Sequence, residues 1–118
     1  MKRVAIFTML VLMFTIGIAL AESPIKSTDR LDSSQLVFSG RTYIRGCVIE
    51  TDGSNDATVT VYDNIRGSGK IFRKIIVPGS DFYGGFVLPY PALMETGIFV
   101  TLSTSGTAAY WIDYQGLY

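Results

Sequence analysis

The segment Ala57–Asp63, Ala-Thr-Val-Thr-Val-Tyr-Asp, constrains the fold more than any other part of the chain. In an extended backbone Ala57, Val59 and Val61 point to one side and Thr58, Thr60 and Tyr62 to the other. β-Branched and aromatic residues at strict period two describe a strand with one buried face. Asn64–Gly69 (Asn-Ile-Arg-Gly-Ser-Gly) then supplies turn chemistry and Ile71–Val77 a second apolar run, so the pair reads as a β-hairpin.

The rest of the chain repeats this pattern. Gln35–Ser39 is a short strand ended by Gly40, and Arg41–Thr51 is the next. The alternation of the latter slips: Tyr43, Cys47 and Ile49 share one parity, Ile44 and Val48 the other. Gly46 sits at the slip, where a β-bulge would re-aim the side chains. Asp52–Asp56 is a turn by composition. Asp81–Leu88 carries Phe82, Tyr83, Phe86 and Leu88 around Gly84-Gly85, which implies a bend or a close backbone approach. Pro89-Tyr90-Pro91 must be extended and cannot join a central ladder.

Gly97–Ser103 alternates again, and Ala108–Tyr114 sets Tyr110, Ile112 and Tyr114 opposite Ala109, Trp111 and Asp113. No segment after the N-terminal region has a helical period. About seven short strands separated by regular turn signals predict an all-β domain over residues 35–118. Its expected form is a small antiparallel two-sheet β-sandwich, jelly-roll or Ig-like, with Val59, Val61, Ile98 and Val100 in the core.

The first twenty-one residues belong to a different class. Lys2 and Arg3 precede Val4–Leu20, apolar apart from Thr8, Thr15 and Gly17, and Ala19-Leu20-Ala21 offers the small-x-small pattern of a signal-peptidase site. Residues 1–21 are therefore expected to be a hydrophobic signal helix, cleaved after Ala21, and the mature protein to be periplasmic or extracellular. The alternative is an uncleaved membrane anchor, because Val4–Leu20 reaches the lower length limit for a span. Residues 22–34 are polar, contain Pro24, and read as a flexible linker or arm.

Ten basic and ten acidic side chains give the whole chain no net charge; loss of Lys2 and Arg3 leaves 8 − 10 = −2. That balance excludes long-range attraction to nucleic acid and, once the leader is gone, to anionic membranes. The basic residues Lys70, Arg73 and Lys74 fit a solvated hairpin edge. Cys47 is the single cysteine, so no intrachain disulfide forms, and its apolar neighbours Ile44, Val48 and Ile49 predict a buried, inert thiol.

Four stretches, in order, carry a resemblance: Ala57-Thr-Val-Thr-Val-Tyr-Asp-Asn, Gly67-Ser-Gly-Lys, Gly97-Ile-Phe-Val-Thr-Leu-Ser and Gly106-Thr-Ala-Ala-Tyr-Trp-Ile-Asp-Tyr. Across Leu36–Tyr114 the chain resembles small β-sandwich proteins of tailed-phage and prophage genomes, which are virion structural components or their relatives. The resemblance lies in turn and strand patterns and implies a sandwich fold with a structural role. The leader departs from that pattern, since such virion proteins are assembled in the cytoplasm.

Catalytic chemistry is not legible. The chain has no histidine, which removes the usual general base and the commonest metal ligand, and no Gly-x-Ser-x-Gly elbow. The carboxylates Glu50, Asp52, Asp56, Asp63, Asp81, Glu95 and Asp113 lie mostly at turns or strand ends, where such groups cap backbone. Asp52, Ser54 and Asp56 have the one-three-five spacing of a calcium loop, with Asp63 further on, but Ala57 stands where an EF-hand needs glycine. The expectation is therefore no enzyme, no cofactor and no metal, with a simpler calcium turn at Asp52–Asp56 as the alternative.

Aromatic residues remain. Tyr62, Phe72, Phe99 and Trp111 share an outward face if Val59, Ile71, Val100 and Ile112 share the inward one, and Tyr90, Tyr110 and Tyr114 complete the candidate interface or ligand platform. Two functions follow: a non-enzymatic structural or assembly subunit, self-associating or binding another protein, or a secreted module that stacks carbohydrate on Tyr62, Trp111 or Tyr90. The last strand is expected near a sheet edge, with Trp111 in a contact between copies.

Overall fold

The computed structural model describes residues 25–116, and the signal helix expected for residues 1–21 lies outside them. Eight strands form: β1 (Ile25–Ser27), β2 (Gln35–Ser39), β3 (Thr42–Thr51), β4 (Ala57–Tyr62), β5 (Ile71–Val77), β6 (Tyr83–Met94), β7 (Gly97–Thr104) and β8 (Ala108–Gly116). The helical content among the described residues is one 3-10 turn, Gly79–Asp81. The strands make two antiparallel four-stranded sheets, ordered β1-β8-β3-β6 and β2-β7-β4-β5. Among the described residues only β4 and β5 are neighbours both in sequence and in a ladder; every other step between these strands crosses from one sheet to the other.

The alternation read from β4 holds. Ala57, Val59 and Val61 are fully buried, as are Ile98 and Val100 on β7, and they meet Ile44, Cys47, Ile49, Tyr110 and Ile112 of the other sheet in one core. Gly46 lies at a register shift that β3 shows against both β6 and β8. A Cβ there would come within 2.7 Å of the Phe86 carbonyl oxygen, so the slip in the sequence marks both a bulge and a close backbone approach.

Three features depart from the sequence reading. Ile25–Ser27, inside the stretch read as a linker, pairs with β8 (Ile25 with Gln115, Ser27 with Asp113). Thr28 N donates to Ile112 O at 3.0 Å, and Leu31 and Tyr110 exchange backbone hydrogen bonds of 3.0 and 2.8 Å. Ser34 then receives a 2.8 Å bond from Leu102 N on β7, so the arm passes from the first sheet to the second along the β8–β7 side. The arm is polar and short, and its hydrogen bonds to β8, not apolar periodicity, hold it there. Consequently β8 lies between β1 and β3 and is not an edge.

The second departure is β6, which runs on to Met94 instead of ending at Leu88. Its ladder with β3 jumps from Val87 to Ala92, leaving Leu88–Pro91 without a partner, because prolines cannot donate to it. The third is a bulge in β5 between the partners of Val61 and Tyr62. Val61 pairs with Arg73 and Tyr62 with Ile71, so Phe72 is the extra residue. A slip of one residue exchanges faces: Ile71 is 53% exposed, whereas Phe72 packs against the core.

Candidate interaction surface

The carboxylates act as ties between turns. Asp52 accepts hydrogen bonds from Ser54 N (2.9 Å), Asn55 N (2.8 Å), Asn55 Nδ2 (2.9 Å) and Thr107 N (3.1 Å), which joins the β3–β4 turn to the β7–β8 turn. The Asn55 side-chain amide and these backbone donors hold the carboxyl well below the usual aspartate range. Asp56 accepts from Gly79 N at 2.9 Å. The one-three-five spacing thus serves backbone donors, and among the described residues no three His, Cys, Asp or Glu side chains are grouped to hold a metal ion.

Asp63 does the same at the opposite end. It is buried, and it accepts from Thr96 N (2.9 Å), Glu95 N (3.1 Å) and Gly97 N (3.5 Å) in the β6–β7 turn. Burial alone would raise its pKa, but these three donors and the Lys70 charge outweigh it and hold the carboxyl below the ordinary value. Cys47 is buried as expected, and desolvation, with the Asp113 charge adding to it, pushes its thiol up to about 12.

A polar cavity of about 350 Å³ lies beside the arm, between Arg30 and Asp32 and the turn residues Thr104–Ala108. Arg30 Nε is also 3.8 Å from Glu50 Oε2, with about half of the Arg30 side chain exposed. The cavity walls offer one cation, one acid and hydroxyls, without a nucleophile–base pair.

The candidate aromatics fall into four settings. Tyr110 is fully buried in the core, its hydroxyl donating to Ser33 O at 2.7 Å, so it lines no surface. Tyr114 faces inward against Phe38, with ring centroids 5.6 Å apart. Phe72 faces inward against Phe86 at 6.2 Å, and the Arg73 guanidinium lies over both rings, 5.8 and 5.0 Å from their centres. That cation–π stack closes the side of the domain between β5 and β6.

Tyr62 and Phe99 are ladder partners on the outer face of the second sheet. The β4–β5 loop folds over this face: a Cβ on Gly67 would lie 3.0 Å from both Phe99 and Thr101. Thr60, beside Thr101 in the ladder, is only 7% exposed. Trp111 stands on the outer face of the first sheet, level with Val48 on β3 and Gly85 on β6. Tyr62 and Trp111 therefore lie on opposite outer faces and cannot form one row. Tyr90 is 82% exposed in the unpaired stretch of β6.

The outer face of the first sheet is the open one. Around the Trp111–Val48–Gly85 row it presents Tyr83, Val87 and Leu93 of β6. Gly85 sits at φ 132°, and a Cβ there would run into the Cys47 carbonyl oxygen, so no side chain rises at that point. Charge enters the face from Glu50 and Asp113, never from β6. The sequence reading missed Val48, Tyr83, Val87 and Leu93, although one signal was present: Phe82–Met94 contains no Asp, Glu, Lys or Arg. The chain matches no family model, no curated protein and no solved structure.

Proposed function

We propose that this is an exported, non-enzymatic structural or assembly subunit that works through protein–protein contacts on the outer face of its first sheet. The observation that carries the reading is the exposure of Val48, Tyr83, Val87, Tyr90 and Leu93 on that face and its β6 border. Contiguous exposed apolar side chains rimmed by polar ones are the mark of an interaction surface. The strand orders β1-β8-β3-β6 and β2-β7-β4-β5 support a jelly-roll form of the sandwich, an architecture used by viral capsid and lectin domains. That argument is analogy at the level of fold. It agrees with the resemblance to phage virion-type proteins, and the leader in residues 1–21 supports a site of action outside the cytoplasm. Carbohydrate stacking has less support, because Tyr62 and Trp111 are on opposite faces.

The test is site-specific photo-cross-linking in the producing cell. A photoactivatable residue at Val48 or Val87 is expected to give a discrete protein adduct, and one at Ile76, 60% exposed on the other sheet, none. Absence of any adduct from Val48 and Val87, or an equal pattern from Ile76, would refute the surface.

A further inference from the structure

Each sheet has two edges, and they are defended unequally. β1 is three residues long and carries Lys26; β2 is short and bulged between Leu36 and Phe38; β5 is bulged and carries Arg73 and Lys74. Short length, bulges and basic residues are the devices that stop an edge from pairing with another chain. β6 spans twelve residues without a charge, and among the described residues no strand pairs with its side away from β3. Its second half is protected by Pro89 and Pro91. Its first half, Tyr83–Leu88, contains no proline and no charged residue of its own, and Tyr83–Val87 keeps an uninterrupted register with β3; the Arg73 guanidinium of β5 lies over its Phe86 ring, which faces the core.

Exposed apolar side chains collect at the same place. Of the eleven large ones exposed among the described residues, five (Phe82, Tyr83, Val87, Tyr90 and Leu93) lie on β6 or next to it. We infer that β6 pairs antiparallel with β6 of a second copy across a two-fold axis, centred on Gly84–Val87, joining the two first sheets into one continuous sheet. The second copy is the occupant that the charge pattern selects. A two-fold contact brings a strand against itself, so any charge on it meets its like. β6 has none, and the net charge of −2 left after loss of Lys2 and Arg3 is too small to oppose association. Gly84 and Gly85 add no bulk between the paired backbones. This inference rests on the assembly reading and names its partner.

The experiment is sedimentation velocity, with hydrogen exchange, on protein purified from expression of the full chain. The wild type is expected to dimerise in the micromolar range, with amides of Tyr83–Leu88 more protected at high concentration than at low. Val87 is 80% exposed, so Val87→Lys leaves the fold intact, as circular dichroism checks, while placing two like charges near the axis. It is expected to weaken the dimer at least about tenfold. Ile76→Lys, on the other sheet, leaves it unchanged. A wild-type monomer at high micromolar concentration overturns the inference, as does concentration-independent protection of β6 or a dimer indifferent to Val87→Lys. A monomer whose Val87 still cross-links to a different protein overturns the pairing and leaves the assembly reading standing; a monomer without adducts overturns both.

Discussion

Replacing Asp63 by Asn tests whether a buried carboxylate holds the β6–β7 turn. The wild-type side chain makes two well-formed charge-assisted bonds, to Thr96 N at 2.9 Å and Glu95 N at 3.1 Å, and a long one to Gly97 N at 3.5 Å. Hydrogen bonds to a charged partner contribute roughly 1.5–3 kcal/mol each. The amide keeps one acceptor oxygen but turns an NH₂ toward the remaining donors, so Asp63→Asn should cost about 1–3 kcal/mol at neutral pH. The pH dependence identifies the cause. Because the folded pKa of Asp63 lies below its ordinary 3.8, the unfolded chain takes up the proton first as pH falls. The stabilisation is therefore complete above the unfolded value and is lost as pH drops through the folded one. Urea denaturation followed by Trp111 fluorescence, from neutral pH into the acid range, gives the difference between the two proteins. Asp52 also titrates low, but it is common to both and cancels. The difference should be constant above about 3.8 and shrink below it. A difference that stays the same throughout, or is absent at neutral pH, would refute the role given to the carboxylate.

Two other outcomes follow from buried groups. Tyr110→Phe removes the 2.7 Å bond to Ser33 O and should cost about 0.5–1.5 kcal/mol in the same denaturation assay. Burial raises the Tyr110 phenol from 10.0 to about 12, so the wild type should lose stability as pH rises above 10, a loss the variant shows less of. Cys47, with its thiol at about 12 and its side chain buried, should resist a disulfide-exchange reagent in the native protein and react fully in urea. Rapid native-state reaction would mean that the core opens far more readily than its packing implies.

The sequence made the core legible wherever alternation was strict. Val59, Val61, Ile98 and Val100 needed only their period, and Gly46 announced its bulge by the slip around it. The β5 bulge left no such mark: Ile71-Phe72-Arg73 is apolar, apolar, basic in either register, so which of Ile71 and Phe72 faced inward depended on the ladder with β4. The arm was illegible for another reason. Ile25-Lys26-Ser27 has no period to read, and its place is set by backbone hydrogen bonds to a strand at the far end of the chain. Missing it made β8 look like an edge. The open border was legible in principle, in the charge-free run Phe82–Met94, but only the sheet order shows that this run is an edge.

The alternation of strands between sheets has a consequence for how the chain reaches this state. As the chain is made from its N terminus, β4–β5 is the one ladder that adjacent strands can close by themselves. β3 must wait for β6 and β8, β2 for β7, and the arm for residues such as Tyr110, 77 positions beyond Ser33. Loop closure over such separations costs entropy before any contact repays it, so folding is slow for a chain of this size. The first hairpin forms early, the second sheet is complete once β7 has been made, and the first sheet closes only when β8 arrives. A chain stopped before Ala108 would leave β1 without a partner and β3 with one of its two, a loss of architecture out of proportion to the few residues removed.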